Sequence, residues 1–300
     1  MKKIAVVAAS LFLAGAASAA DLSVPVKAPA PEPAAPLWDV AFGAKLATDY
    51  VFRGISQTDG NPAIQGYAEL RLFDWIYGGV WMSNVDFPTS AGLTDAAAEV
   101  DLYGGLRHTW GGLTLDVGYV YYYYPGEIAP NSLALGVPAA NLDYWEIYFK
   151  PTYVINDVFT VGGNLYYTDS YAGSGSDGTY LSGTLKVDFS KWSVVKDVGV
   201  YVSGEVGYQW LGETDFGNIF AANYELPSYA TWNVGLAFTY KAATLDLRYY
   251  GSELSGTPAF VPGLGVNATG TCGAISGLSN ACGDRFVASL SFDTSLNALK

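Results

Sequence analysis

Apolar and polar residues alternate along most of the chain, in segments of about ten residues. In the segment 98–107, for example, Val100 and Leu102 alternate with Glu99 and Asp101. Because successive side chains of a strand point to opposite faces, this period of two predicts strands with one apolar and one polar face. Twelve such segments predict an all-β chain: 40–53, 64–72, 75–84, 98–107, 113–121, 145–153, 159–167, 180–188, 200–209, 232–241, 245–250 and 286–292.

The connections between these segments are alternately long and short. The short ones are near Asp74 and at 111–112, 156–157, 190–197 and 241–242. The long ones are 54–62, 85–96, 124–141, 170–178, 211–228 and 251–284. Short turns at one end and long loops at the other are typical of a transmembrane antiparallel up-and-down β-barrel, here of about twelve strands.

A soluble sandwich or barrel is the alternative, because it too alternates apolar and polar residues. Three features favour the membrane barrel. Charges are nearly absent from the apolar faces, and long loops fall at every other connection. Aromatic residues also cluster near predicted strand ends, as interfacial girdles do; these are Tyr121 to Tyr124, Trp145, Tyr166, Tyr167, Tyr208, Trp210, Tyr249 and Tyr250.

The N-terminus has the form of a secretory signal peptide. Residues 1–20 combine Lys2 and Lys3 with a short apolar stretch and an A-x-A cleavage site at 17–19. A retained anchor helix is the alternative, but the stretch is short for a membrane span. We expect a Pro/Ala-rich periplasmic linker at 21–38, the outer-membrane barrel at 39–293 and a C-terminal tail at 294–300. The protein is thus predicted to be exported through the periplasm of a Gram-negative bacterium to its outer membrane.

Composition excludes several classes of protein. The 28 acidic and 15 basic residues give a formal net charge of -13. A nucleic-acid-binding protein of the usual kind needs a basic face, so no nucleic-acid partner is expected. Only 14% of residues are charged, yet no run of about 20 apolar residues follows residue 20, which argues against a helical membrane protein.

Two short motifs resemble a known family. Residues 49–57 (DYVFRGISQ) and 78–86 (GGVWMSNVD) are similar to the TorF-type porin family, catalogued as the Gcw_chp proteins, and residues 284–291 (DRFVASLS) are a looser match. The resemblance implies an outer-membrane porin. Many such barrels end on an aromatic residue, whereas here Phe292 is followed by DTSLNALK.

If the apolar faces meet lipid, the polar faces line the interior. Their charges, eight basic and nine acidic, would make the lumen nearly neutral. The predicted pore-lining residues are Lys45, Asp49, Arg53, Glu69, Arg71, Glu99, Asp101, Arg107, Asp116, Glu146, Lys150, Lys186, Asp188, Glu205, Lys241, Asp246 and Arg248.

The long loops are strongly acidic and carry no Lys or Arg. Their acids are Asp59, Asp86, Asp95, Glu127, Asp143, Asp169, Asp177, Glu213, Asp215, Glu225, Glu253 and Asp284. A negative mouth concentrates cations, which predicts mild cation preference. Alternatively, these acids bind divalent ions that bridge lipopolysaccharide, or aid solubility.

The sequence therefore predicts a porin for passive diffusion of small polar solutes or ions, with outer-membrane lipid and lipopolysaccharide as its surroundings. Twelve strands lie between filled and open barrels, so a closed structural or surface-interaction barrel is the alternative. The oligomeric state is left open, with a homo-oligomer as one option.

The segment 53–57 also has two interpretations. Gly54 permits a sharp turn, so the segment could fold inward as a constriction. Otherwise it is a turn that anchors the loop, with Asp49 paired to Arg53.

No enzyme, cofactor or metal site is expected. The one histidine, His108, falls on the lipid face by its parity with Leu106, where it cannot serve a lumenal nucleophile. The Gly/Ser run at 173–178 lacks the strand-to-helix context of a nucleophile elbow. Cys272 and Cys282 lie in one Gly/Ser/Asn-rich stretch, and after export we expect them to form a structural disulfide.

Overall fold

Twelve antiparallel strands close into a barrel. The computed structural model describes residues 37–87, 96–127, 142–215, 223, 225–254 and 281–299. The strands are β1 (Trp38–Ala47), β2 (Val51–Phe52), β3 (Ile55–Ser56), β4 (Ala63–Leu72), β5 (Ile76–Ser83), β6 (Glu99–Trp110), β7 (Leu113–Tyr123), β8 (Tyr144–Val154), β9 (Phe159–Thr168), β10 (Gly178–Asp188), β11 (Val198–Leu211), β12 (Tyr229–Tyr240), β13 (Ala243–Ser252) and β14 (Arg285–Ser295). Two single 3-10 turns occupy Tyr171–Gly173 and Ser190–Trp192.

The barrel follows the chain order, apart from the short β2–β3 pair, which forms a separate two-stranded sheet. β1 closes the ring by pairing with both β4 and β14, so that Ala41 is opposite Glu69 on one side and Ser295 on the other. The predicted up-and-down barrel of twelve strands is therefore confirmed.

The two ends of the barrel differ as the sequence predicts. Connections at 73–75, 111–112, 155–158, 189–197 and 241–242 are short and lie at one end, here called the turn end. The other connections are long and define the loop end. Both described chain ends meet at the turn end, where Phe73 N donates to Leu37 O at 3.0 Å and Asn297 N donates to Asp39 Oδ1 at 3.0 Å.

The apolar face of every barrel strand points outward. Each of the twelve strands has at least one large apolar side chain that is between 40% and 68% exposed. One from each strand is named here: Leu46, Ile64, Met82, Leu102, Val117, Ile147, Leu165, Leu181, Val206, Val234, Leu245 and Leu290. A soluble barrel buries this face, so the inside-out arrangement excludes the soluble alternative.

The inward face combines charged residues with tyrosines that lie against glycines on neighbouring strands. A Cβ at Gly118 would lie 2.4 Å from the ring of Tyr148, and one at Gly207 would lie 2.4 Å from the hydroxyl of Tyr180. Larger residues at either position would displace these rings. The glycines thus make room for large side chains inside the barrel.

The first predicted strand was wrong in its second half. β1 ends at Ala47 instead of continuing to residue 53, and the chain then turns into the lumen. Tyr50 and Phe52 were assigned to the lipid face, but both pack against the interior cluster of buried side chains. The reason is local: Arg53 and Gly54 both have positive φ (46° and 79°), which makes a two-residue hairpin turn between β2 and β3.

The predicted aromatic girdle is also only partly correct. Tyr123 and Trp210 are exposed on the outside, 44% and 45% respectively. Tyr122 and Tyr124, in contrast, are buried inside the barrel. Strand parity therefore divides the aromatic run between an outer and an inner role.

Several predictions fall wholly or partly outside the described residues. These are the signal peptide, the linker up to residue 36, Asp95 and Cys272. Cys282 is buried, but the disulfide stays a prediction. Within the described ranges, no helix has the length and hydropathy needed to cross a membrane.

Candidate functional site: the lumen and its inward hairpin

A group of paired charges lines the lumen near the turn end. Arg107 bridges two acids there: its Nε lies 2.9 Å from Asp116 Oδ2 and its Nη1 lies 3.1 Å from Glu69 Oε1. Arg71 also donates to Glu69, at 2.6 Å, and Lys150 Nζ is 3.9 Å from Asp116. Side chains from β4, β6, β7 and β8 thus form one ladder of alternating charge.

A second group lies on the strands on the other side of β1. Arg248 Nη2 donates to Asp246 Oδ2 at 2.8 Å and to Ser203 Oγ at 2.7 Å, and its Nη1 donates to Asn233 at 2.6 Å. Lys45 lies in the electrostatic field of Asp246 and Asp293. Arg248 therefore pairs with an acid of its own strand, and Lys45 lies near acids of the two strands beyond it, β14 and β13.

Four other predicted residues have separate positions. Lys186 and Asp188 pair at 3.3 Å on β10. Glu205 accepts hydrogen bonds from Tyr180 Oη and Asn164 Nδ2, at 3.1 and 3.3 Å. Lys241 lies in the exposed turn after β12, with its Nζ 5.3 Å from the ring of Tyr240.

Water reaches these charges. The side chains of Arg71, Arg107, Lys150 and Lys186 are 25–28% exposed although they point inward. We call this part of the lumen, lined by these four residues with Glu69 and Asp116, the vestibule. Its charges are mostly paired, and they remain hydrated.

Near the loop end, residues 49–58 fold into the lumen; we call this segment the Arg53 hairpin. Its base is fixed by Asp49, which accepts from Ser56 Oγ at 2.6 Å and Thr58 Oγ1 at 2.8 Å. Arg285 Nη1, from β14, also donates to Asp49 at 2.5 Å. The structure thus shows the inward fold, and the alternative pairing of Asp49 with Arg53 is wrong.

The tip of the hairpin reaches the far wall of the barrel. Arg53 makes a bidentate ion pair with Glu146 of β8, at 2.9 and 2.7 Å, and its Nη1 donates to Gln209 of β11 at 2.8 Å. Its guanidinium carbon lies 4.9 Å from the Tyr166 ring and 4.6 Å from the Tyr180 ring, a distance at which cations and aromatic faces attract. β9, which carries Tyr166, is six strands from β1 in either direction around the ring.

Tyrosine hydroxyls satisfy the carboxylates around this tip. Glu99 accepts from Tyr50 Oη at 2.7 Å and from Tyr124 Oη at 2.9 Å. Glu146 accepts from Tyr122 Oη at 2.9 Å in addition to Arg53. A carboxylate removed from water is costly unless its oxygens are bonded, and these hydroxyls supply the bonds. Asp101, also predicted to face the lumen, has a buried Oδ1 without a hydrogen-bond partner.

Solvent is excluded from this layer, in contrast to the vestibule. The side chains of Arg53 and Glu146 are only 5% and 1% exposed. Hairpin residue Ile55 belongs to the buried cluster, together with Tyr122, Tyr144 and Tyr229 from the walls. We call this part of the lumen the dry layer. The lumen is therefore hydrated toward the turn end and filled by side chains toward the loop end.

Some residues of the site were missed by sequence reasoning. Asp293 and Arg285 could have been found by parity along β14, because their outward neighbours Phe286 and Phe292 are apolar. Parity did place Gln209 and Tyr180 on the polar faces, but only the fold of the hairpin brings Arg53 to them.

Several loop acids bond to the protein itself. Glu127 accepts from Leu142 N at 2.9 Å, and burial raises the pKa of the Glu127 carboxyl. Asp143 accepts from Tyr124 N at 2.8 Å, and Glu253 accepts from Ala230 N at 2.9 Å. These acids order the loops as well as contributing charge.

His108 lies on the outward face, as predicted. Its ring stacks on Trp75 with centroids 4.0 Å apart and meets the edge of Trp110 at 4.7 Å. Neither of these contacts brings an inward-facing nucleophile close to the imidazole ring. Across the described ranges, no group of three or more His, Cys, Asp and Glu side chains is placed to hold a metal ion.

Solved structures with a similar fold include several outer-membrane proteins. The KdgM porin in complex with disordered oligogalacturonate is 7% identical, with a TM-score of 0.45, and the match covers 85% of this chain and 98% of that one. The NanC porin is 8% identical with a TM-score of 0.43, covering 85% and 98%. The Pseudomonas putida toluene transporter TodX is 11% identical with a TM-score of 0.43, covering 89% of each.

No curated protein matches the chain. A family model described as "Bacterial protein of unknown function (Gcw_chp)" matches residues 30–274, a range that includes both motifs and the whole Arg53 hairpin. The chain belongs to the Gcw_chp family.

Proposed function

We propose that this protein is an outer-membrane channel for small polar solutes or ions. The observation that carries the proposal is the inside-out barrel, with large apolar side chains outside every strand and hydrated charges inside. Such a wall is stable only where lipid surrounds it and water fills part of its interior.

The vestibule suits passive diffusion rather than tight binding. The bases Arg71, Arg107, Lys150 and Lys186 are paired with the acids Glu69, Asp116 and Asp188, so that only one positive charge is left uncancelled along the wall. A nearly neutral, hydrated wall offers polar contacts to many small solutes without holding one strongly. Selectivity then depends on the width of the lumen and on charge at its mouth.

We propose a mild cation preference for this channel. The loop end carries acids such as Asp86, Asp143 and Glu253, whereas the basic residues described there, Arg53 and Arg285, are paired with Glu146 and Asp49. The resulting negative potential concentrates cations at the mouth. The preference should weaken as salt rises, since the field is screened within about 10 Å at 0.1 M and about 3 Å at 1 M.

Solute entry into liposomes tests the channel proposal. Purified protein is reconstituted, and swelling is followed after addition of amino acids and sugars of increasing size. We expect swelling with the smallest solutes, a sharp decline with size, and none in liposomes holding heat-denatured protein. No swelling with any solute, from protein that is folded by its heat-modifiable gel mobility, would argue against a channel that opens in the wild-type protein.

A barrel with a permanently closed lumen, serving a structural or surface role, is the second candidate. The observation that favours it is the dry layer, where Arg53 and Glu146 are almost completely shielded from water. The two candidates differ in whether the Arg53 hairpin ever leaves its place.

A further inference from the structure

We infer that the Arg53 hairpin is a gate with a fixed base and a releasable tip. The inference rests on the proposed channel function and adds its regulation: the Arg53–Glu146 pair is the latch that keeps the loop end closed.

The base and the tip are attached in different ways. At the base, backbone bonds hold the hairpin: Ser56 N donates to Ala281 O at 2.8 Å, and Asp86 N donates to Gln57 O at 2.9 Å. At the tip, no backbone hydrogen bond joins Phe52, Arg53 or Gly54 to a barrel strand within the described residues. The tip is held by side chains alone, so it can leave the wall without breaking any strand pairing.

The hairpin is also a unit in itself. Val51 pairs with Ser56 and Phe52 pairs with Ile55, so the two short strands stay together wherever the tip lies. A self-contained hairpin on a fixed base moves as one body, which is how hinged segments open.

Arg53 occupies a backbone conformation that its own residue type disfavours. Its φ is 46°, in the left-handed region, where hairpin turns of this kind usually have Asn, Asp or Gly. Strain of this kind is typical of switch regions and active sites. Here the strained residue is the one whose side chain makes the ion pair with Glu146 and the hydrogen bond to Gln209.

Water would weaken the latch once it entered. In the dry layer the bidentate geometry and the bond to Gln209 offset the cost of removing both charges from water, and no water screens their attraction, whereas a hydrated ion pair contributes little. Once the tip begins to leave, entering water weakens the Arg53–Glu146 pair further. The hairpin therefore has two states, one closed with a dry layer and one open with a hydrated lumen. When the tip leaves, the vestibule connects to the loop end.

The double variant Arg53→Asn, Glu146→Gln tests the latch. Asn suits the left-handed turn and Gln keeps the size of Glu, so the hairpin itself and the wall are preserved. The control is Lys191→Gln, which removes an exposed ion pair with Asp157 at the turn end, outside the lumen. Arg53→Lys keeps the charge without the bidentate geometry and should give an intermediate result.

Two readouts are measured for each variant. The first is open probability in planar bilayers in symmetric KCl. The second is the reaction of Ile55→Cys with a membrane-impermeant thiol reagent, because Ile55 is 3% exposed and reacts only when the hairpin moves. The chain without this cysteine gives the background reaction.

In the double variant we expect both readouts to rise at least about tenfold over the wild-type latch, a change that corresponds to about 1.4 kcal/mol. Lys191→Gln should change neither. Equal labelling of Ile55→Cys with and without the latch would overturn the gate. Faster labelling without any current would support the moving hairpin and refute the channel.

Discussion

Arg285 donates to Asp49 across the seam between β14 and β1, with Nη1 and Oδ2 2.5 Å apart. This contact joins the first residue of the last strand to the residue that begins the Arg53 hairpin. The same carboxylate accepts from Ser56 and Thr58, so one group ties the last strand to the base of the hairpin.

Arg285→Gln should therefore destabilise the barrel by about 1.5–3 kcal/mol, the range for hydrogen bonds to charged groups. This destabilisation is measured on gels, as the shift in the urea concentration at which half of the protein has lost the mobility of the folded, heat-modifiable form. Lys191→Gln is the matched control: its pair with Asp157 has side chains 60% and 51% exposed and should contribute less than about 1 kcal/mol. Equal shifts for the two variants would contradict the role given to Asp49.

Tyr50→Phe removes one of the two hydroxyls that bond Glu99. Because Glu99 is 2% exposed, its Oε1 would be left without a partner away from water, at a cost of roughly 1–3 kcal/mol. Unfolding in urea checks this. Tyr123→Phe, on the outward face and 44% exposed, is expected to leave the midpoint nearly unchanged.

Leu102→Arg tests whether the outward face meets lipid. Leu102 lies within β6 and is 53% exposed, and a basic residue near the middle of a bilayer costs about 2–4 kcal/mol in membrane barrels. The folded fraction after insertion into liposomes should fall accordingly. Val194→Arg, at a residue that is 99% exposed in the turn 189–197, should insert normally. If both insert equally well, the face of β6 does not meet lipid.

Cys272 and Cys282 are predicted to be paired. Alkylation of unfolded protein should modify both thiols only after reduction, and peptide mapping should show one linked peptide. Loss of the pair should cost about 2–3 kcal/mol at most, because the closed loop is short. Two thiols that react without reductant would refute the disulfide.

Much of the fold could be predicted from the sequence because period-two alternation specifies which side chains share a face. The residues Leu102 and Leu106, and likewise Glu99 and Asp101, were assigned to the correct faces from parity alone. The turns at 111–112 and 241–242 were also predicted correctly. Gly111 and Gly112 suit a tight connection, whereas Lys241 and Ala242 were located only by the break between two alternating segments.

The candidate site was harder to predict because parity stops at the end of a strand. Residues 48–53 continue the alternation of β1, yet the positive φ at Arg53 and Gly54 turns them inward. The partners of Arg53 are contributed by β8 and β11, and no local pattern links residues so far apart in the sequence. The sequence showed Arg53 as a lumenal charge but could not show which acid it would meet.

The most direct test of the account is the current through Arg53→Asn, Glu146→Gln protein in a planar bilayer with a KCl gradient. Because this variant lacks the Arg53–Glu146 pair, the current reports the conductance and selectivity of the open lumen. We predict discrete current steps and a reversal potential on the cation-selective side that moves toward zero when both salt concentrations are raised. Silence from folded protein would contradict a channel, and an anion-selective reversal potential would contradict the role of the acidic loops.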